Sequence, residues 1–132
     1  MGDRPRIVAF CCEHSGKLAA RMAVESDDPI LGNVQIVPVP CSGNVQVIDI
    51  LNALRAGADG VVVFGCHDDS CKHLVGNRRA RKRIEYASGV LKEIGWSPER
   101  VRFVCVSAVE GRVFLDRLAE VEDKLRGLTV EV

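Results

Sequence analysis

Nothing in this chain approaches the roughly 18 unbroken apolar residues that a membrane-spanning helix requires. A membrane partner is therefore not expected. Aromatic residues are scarce, with four Phe, one Trp and one Tyr, and none interleaves the basic run Lys72, Arg78, Arg79, Arg81, Lys82 and Arg83. A nucleic-acid surface of stacked bases between cations is thus not indicated. Net charge is also missing: 18 basic residues balance 18 acidic ones, so whole-molecule charge favours neither a polyanion nor an acidic substrate. No glycine-rich phosphate fingerprint of the Rossmann or P-loop kind follows any expected strand, which removes a nucleotide or flavin of the chain's own. Internal repeats, low-complexity tracts and linkers are absent too. The start, Met1 to Arg6, leads straight into Ile7-Val8-Ala9-Phe10 without the longer apolar region and cleavage site of a secretory leader. The expected location is cytoplasmic.

What is present in excess is cysteine. Six of 132 residues are Cys, and without a secretory leader an even count points to metal or redox chemistry rather than a disulfide framework. The length fits one domain with one core.

Hydrophobic periodicity orders the rest. Arg6 to Cys12 is a β-rich apolar run, and Lys17 to Val24 favours helix through Ala, Leu and Met. Val34 to Val39 alternates and stops at Pro40, as a strand end does. Val47, Ile50, Leu51 and Leu54 form an amphipathic helical stripe that Gly57 terminates. Gly60 to Gly65 is apolar throughout, the pattern of a central parallel strand buried on both faces. Ile84, Ala87, Leu91 and Ile94 mark a helix from near Asn77 to Gly95, and Val101 to Val106 a fourth strand. Ser107 and Glu110 have the spacing of a capping box before a last helix faced by Phe114, Leu118, Val121 and Leu125. Leu128 to Val132 is a short edge strand or a tail. Four β-α units in succession predict an α/β fold, a single-domain parallel sheet with helices on both faces, flavodoxin-like.

In such a sheet ligands bind outside the carboxyl ends of the strands, near the point where strand order reverses. Cys12, Cys41 and Cys66 all lie where expected strands run out, and Cys71 follows Cys66 across the loop His67-Asp68-Asp69-Ser70. Four thiols meeting at one edge could hold an iron-sulfur cluster or a zinc ion, and the spacing does not choose between them. Two other readings stand beside it: a thiol-disulfide or persulfide-handling enzyme using Cys66 and Cys71, and a zinc-stapled interaction module. Cys11 must face away from Cys12 in a strand. Cys105, inside a β-rich apolar run, reads as a small buried core residue away from the group. His14, His67 and His73 read as polar supports of the ligands or solvated loop residues, and Asp68 and Asp69 as paired carboxylates for acid-base work or a polar loop tip. The basic run is a solvated helix face, a phosphate-binding surface or a docking face beside an anionic cluster.

Taken together, Ile7 to Cys12, Cys41-Ser42-Gly43, Leu54 to Val61, Gly65-Cys66-His67, Cys71, Gly76-Asn77, Arg81 to Arg83, Val106-Ser107-Ala108 and Glu110-Gly111 resemble the iron-sulfur delta subunit family of methyl-viologen-reducing hydrogenase, which also occurs beside or fused to the A component of heterodisulfide reductase. The resemblance implies that residues 1–132 are a single iron-sulfur electron-transfer domain carrying a 2Fe-2S cluster on Cys12, Cys41, Cys66 and Cys71. It implies an electron carrier that is not itself catalytic, passing electrons between a hydrogenase or other dehydrogenase module and a flavin-containing heterodisulfide-reductase-like partner. Many members carry a further Cys where this chain has Ser15 and an acidic residue where it has Ser70.

Overall fold

A computed structural model describes residues 5–13, 16–25, 29–65, 76–107 and 109–128. The run Gly-Val-Val-Val-Phe-Gly forms the strand β3, Gly60–Gly65, in which every residue is buried. The β-branched side chains on its two faces are what a doubly covered strand needs. Around it, in chain order, stand β1 (Ile7–Cys12), α1 (Gly16–Glu25), β2 (Val34–Val39), α2 (Val47–Arg55), α3 (Gly76–Glu93), β4 (Val101–Cys105) and α4 (Gly111–Leu128). Short 3-10 turns at Pro29–Asn33, Ser42–Asn44 and Pro98–Arg100 precede β2, α2 and β4. The sheet is parallel throughout, with order β2-β1-β3-β4. The fold is therefore α/β and flavodoxin-like, as the β-α alternation predicted.

Each face of the sheet builds its own core. Ile7, Ala9, Cys11, Val62 and Phe64 pack under α1 and α4 through Ala19, Ala20, Ala23, Phe114, Leu118 and Leu125, and the Phe64 and Phe114 rings lie 4.4 Å apart between centroids. Val61, Val63 and Val101 pack under α2 and α3 through Ile50, Leu54, Ala80, Ile84, Ala87 and Leu91. The alanines of α1 let α4 come close: a Cβ at Gly111 would lie 3.0 Å from Cβ of Met22 and 3.4 Å from the Ala19 carbonyl.

Three details differ from expectation. Ile94 lies beyond the end of α3 and is 61% exposed, because Gly95, at φ 86°, turns the chain away from the core. Glu110 does reach back, accepting from the Ser107 amide at 2.7 Å, but α4 starts only at Gly111. The bond closes a turn ahead of the helix instead of capping it. Gln46 and Asp49 supply an unforeseen cap for α2, the Asp49 carboxylate accepting from the Gln46 amide at 2.8 Å. The expected strand or tail at Leu128 to Val132 lies, after Leu128, outside the described residues. No helix among the described residues is long and apolar enough to cross a membrane.

Candidate functional site

Because all strands run the same way, their carboxyl ends share one edge. The helices return antiparallel to the strands, so the positive ends of their dipoles face that edge and favour negative charge there. The strand order reverses about β1: the chain passes from β1 to β2 on one side, then crosses over to β3 on the other. Cys12 is the last residue of β1 and so stands at this switch point. It is 2% exposed.

Alternation separates the adjacent thiols. Cys11 is fully buried in the core under α1 and α4, and its Sγ donates to the Ala9 carbonyl at 3.7 Å. Burial, and secondarily the neighbouring Cys12 charge, push the Cys11 thiol from 9.0 up to about 12. By alternation Cys12 belongs to the opposite side of the strand, the side on which Val8 and Phe10 pack against the core under α2 and α3.

Cys41 opens the turn after β2. Its backbone is extended, at φ −156° and ψ 147°, and its Sγ accepts from the Gly43 amide at 3.4 Å. The turn behind it packs on β1, β3 and α3. Arg83 of α3 fastens it there, one guanidinium nitrogen donating to the carbonyls of Gly43 and, at 3.0 Å, Val45. Cys41 is buried, at 5% exposure. Cys66 and Cys71 lie outside the described residues, as do His14, Ser15, His67 to Ser70, Lys72 and His73. The chain enters Cys66 directly from Gly65, the end of β3. Among the described residues no three His, Cys, Asp or Glu side chains converge as metal donors.

Cys105 departs from expectation. It is half-buried, not buried, and stands at the end of β4 level with Gly65, so it belongs to the same carboxyl edge. An Arg81 nitrogen lies 3.2 Å from its Sγ, and the same guanidinium covers the Phe103 ring at 5.2 Å. The basic run thus divides. Arg81 and Arg83 are committed to Cys105, Phe103 and the Cys41 turn, whereas Arg78, Arg79 and Lys82 are exposed. Arg79, Lys82 and Arg83 border a shallow hollow with Val47 and Tyr86, and Tyr86 is 66% exposed. Sequence reasoning treated these cations as one group. The signal it passed over was the register of α3, where Ala80, Ile84 and Ala87 fix the inward face and leave Arg81 and Arg83 on its flanks.

The sequence profile of the methyl-viologen-reducing hydrogenase delta subunit matches residues 7–129. The chain is 39% identical over 124 residues to an iron-sulfur subunit, the D component, of the F420-non-reducing hydrogenase of Archaeoglobus profundus, covering 94% of this chain and 90% of that one. To the corresponding vhu iron-sulfur subunit of Methanopyrus kandleri it is 34% identical, covering 97% of both. It is also 38% identical over 116 residues to the A component of a ferredoxin/F420H2-dependent CoB-CoM heterodisulfide reductase of Methanosarcina acetivorans. There it spans 88% of its own length but 15% of the relative's. With one profile covering nearly all of its length, the chain belongs to the methyl-viologen-reducing hydrogenase delta subunit family.

Proposed function

We propose that this chain is a cytoplasmic electron-transfer subunit that carries one 2Fe-2S cluster on Cys12, Cys41, Cys66 and Cys71. In this reading it passes electrons between a hydrogenase or other dehydrogenase module and a flavoprotein like the A component of heterodisulfide reductase. The observation that carries the reading is the placement of Cys12 and Cys41 at the carboxyl edge next to the strand that leads into Cys66. The hydrogenase iron-sulfur relatives and the heterodisulfide reductase relative supply the cofactor class and the partner classes.

The donors fit such a group. Cys12 and Cys41 are held by a strand end and a clamped turn, and helix amino ends oppose the thiolate charge from behind. When bound, the cluster supplies reversible one-electron chemistry. The chain's own part is to hold thiolates at fixed positions, to limit solvent around Cys12 and Cys41, and to present exposed Arg78, Arg79 and Lys82 beside the edge. The test is iron and zinc analysis with visible and electron-paramagnetic-resonance spectra on protein purified without oxygen. Two irons per chain and a reducible 2Fe-2S signal are expected. Colourless protein holding one zinc would transfer the reading to a zinc-stapled module, and metal-free protein with a reversible Cys66–Cys71 disulfide to thiol chemistry.

A further inference from the structure

At the edge of the sheet opposite the cysteines, the loop before β3 and the loop before β4 line an open pocket of about 460 Å³. Its walls include Leu54, Ala58, Asp59, Ile94, Trp96 and Arg100. Arg100 is the anomaly. It is 7% exposed, yet among the described residues no carboxylate pairs with it. The one hydrogen bond of its side chain among the described residues is from a terminal nitrogen to the Asp59 backbone carbonyl at 3.0 Å, and its Nε has no acceptor. The guanidinium lies over the Trp96 ring at 5.3 Å. A buried charge without a counter-charge is costly, and such charges are normally paired. Cation–π contact offsets part of that cost and leaves the demand for an anion.

The surrounding chemistry says which anion. Leu54, Ala58, Ile94 and Trp96 make most of the wall apolar, and a volume of this size suits a small organic molecule. Asp59, also among the lining residues, adds a negative charge, and its carboxylate already accepts from the Arg6 amide at 2.8 Å. That charge weighs against a dianion more than against a monoanion. We propose that this pocket binds a small monocarboxylate with an apolar body, its carboxylate on Arg100 and its body against Trp96 and Ile94. The site is separate from the cysteine edge: β3, six residues long, puts roughly 20 Å between the two ends of the sheet.

Trp96 is the only tryptophan, so its emission reports this pocket alone. The full chain is titrated with phenylacetate, with phenylacetamide and with inorganic phosphate. Phenylacetate is expected to change the emission saturably, with the neutral amide and phosphate each at least about tenfold weaker, since a charge-assisted pair is lost in one and the apolar body in the other. Arg100→Gln is expected to abolish the preference for the acid over the amide. Should that variant fail to fold, Ile94→Glu serves: residue 94 is exposed, so folding is retained, while the new carboxylate repels the ligand and removes the same preference. Absence of saturable change, equal binding of acid and amide, phosphate binding as tight as phenylacetate, or an unaltered preference in Ile94→Glu would each overturn the proposal.

Discussion

Cys11 and Cys12 are covalent neighbours with opposite surroundings, and the difference lies in one step of strand parity. Cys11 is in the α1/α4 core and keeps its proton; Cys12 ends the strand on the other side. Cys11→Ala is therefore expected to retain the full iron content, and Cys12→Ala to lose most of it, as measured on protein purified without oxygen. Cys11 also makes stability depend on pH. Its folded value, about 12, is raised above 9.0, so the folded chain holds a proton that the unfolded chain releases. The stabilisation is complete below pH 9.0 and is lost as pH rises toward about 12. Urea unfolding from about pH 8 to about pH 11 should show the wild-type margin over Cys11→Ala narrowing. The parity of this pair was legible because it needs only alternation. Cys105 was misread because its apolar neighbours in sequence say nothing about Arg81, which reaches it from another element.

The turn at Ser42–Asn44 has no apolar side chain of its own; Val45, which closes it, is buried with Ala80 and Ile84 of α3, and Arg83 adds bonds to two backbone carbonyls. Arg83→Met keeps the stem and removes the donors. It should leave the circular-dichroism spectrum unchanged while a chelator removes iron several-fold faster, because Cys41 gains freedom that the clamp denied it. Between α1 and α4 the limiting feature is steric. Gly111→Val places a side chain against Met22 and the α1 backbone, and a urea midpoint corresponding to a loss of about 1–3 kcal/mol is expected. The elements themselves were legible from apolar periodicity, which fixed α2, β3 and α3 to within a residue or two. Their ends were less so: Ser107 and Glu110 satisfy a spacing rule whose bond forms outside the helix, and Ile94 continues a periodic stripe that the left-handed Gly95 cuts off.

For the molecule as a whole, formal neutrality conceals an uneven surface. Arg78, Arg79 and Lys82 are exposed at the amino end of α3, while Arg81 and Arg83 point to partners within the chain. Changing Arg79 and Lys82 together to Glu should slow electron delivery to a flavoprotein partner through slower association, with the deficit shrinking as salt is raised. An unchanged rate at low salt, with the cluster spectrum intact, would leave these residues as a solvated helix face. The parallel α/β class was legible from the β-α alternation. The strand order was not, since it depends on which side of β1 each crossover takes, and the later part of the candidate site, Cys66 and Cys71, lies outside the described residues. That order has a kinetic consequence. Ile7 is registered against Gly60, so the centre of the sheet joins segments that are far apart along the chain and must wait for two crossovers to close. High contact order of this kind slows folding. During synthesis, Cys12 and Cys41 leave the ribosome well before β3 exists to sit beside them. If the four proposed cysteines hold the cluster, its delivery is best timed after Cys71 has been made, and a donor acting earlier would meet only a half-built cradle.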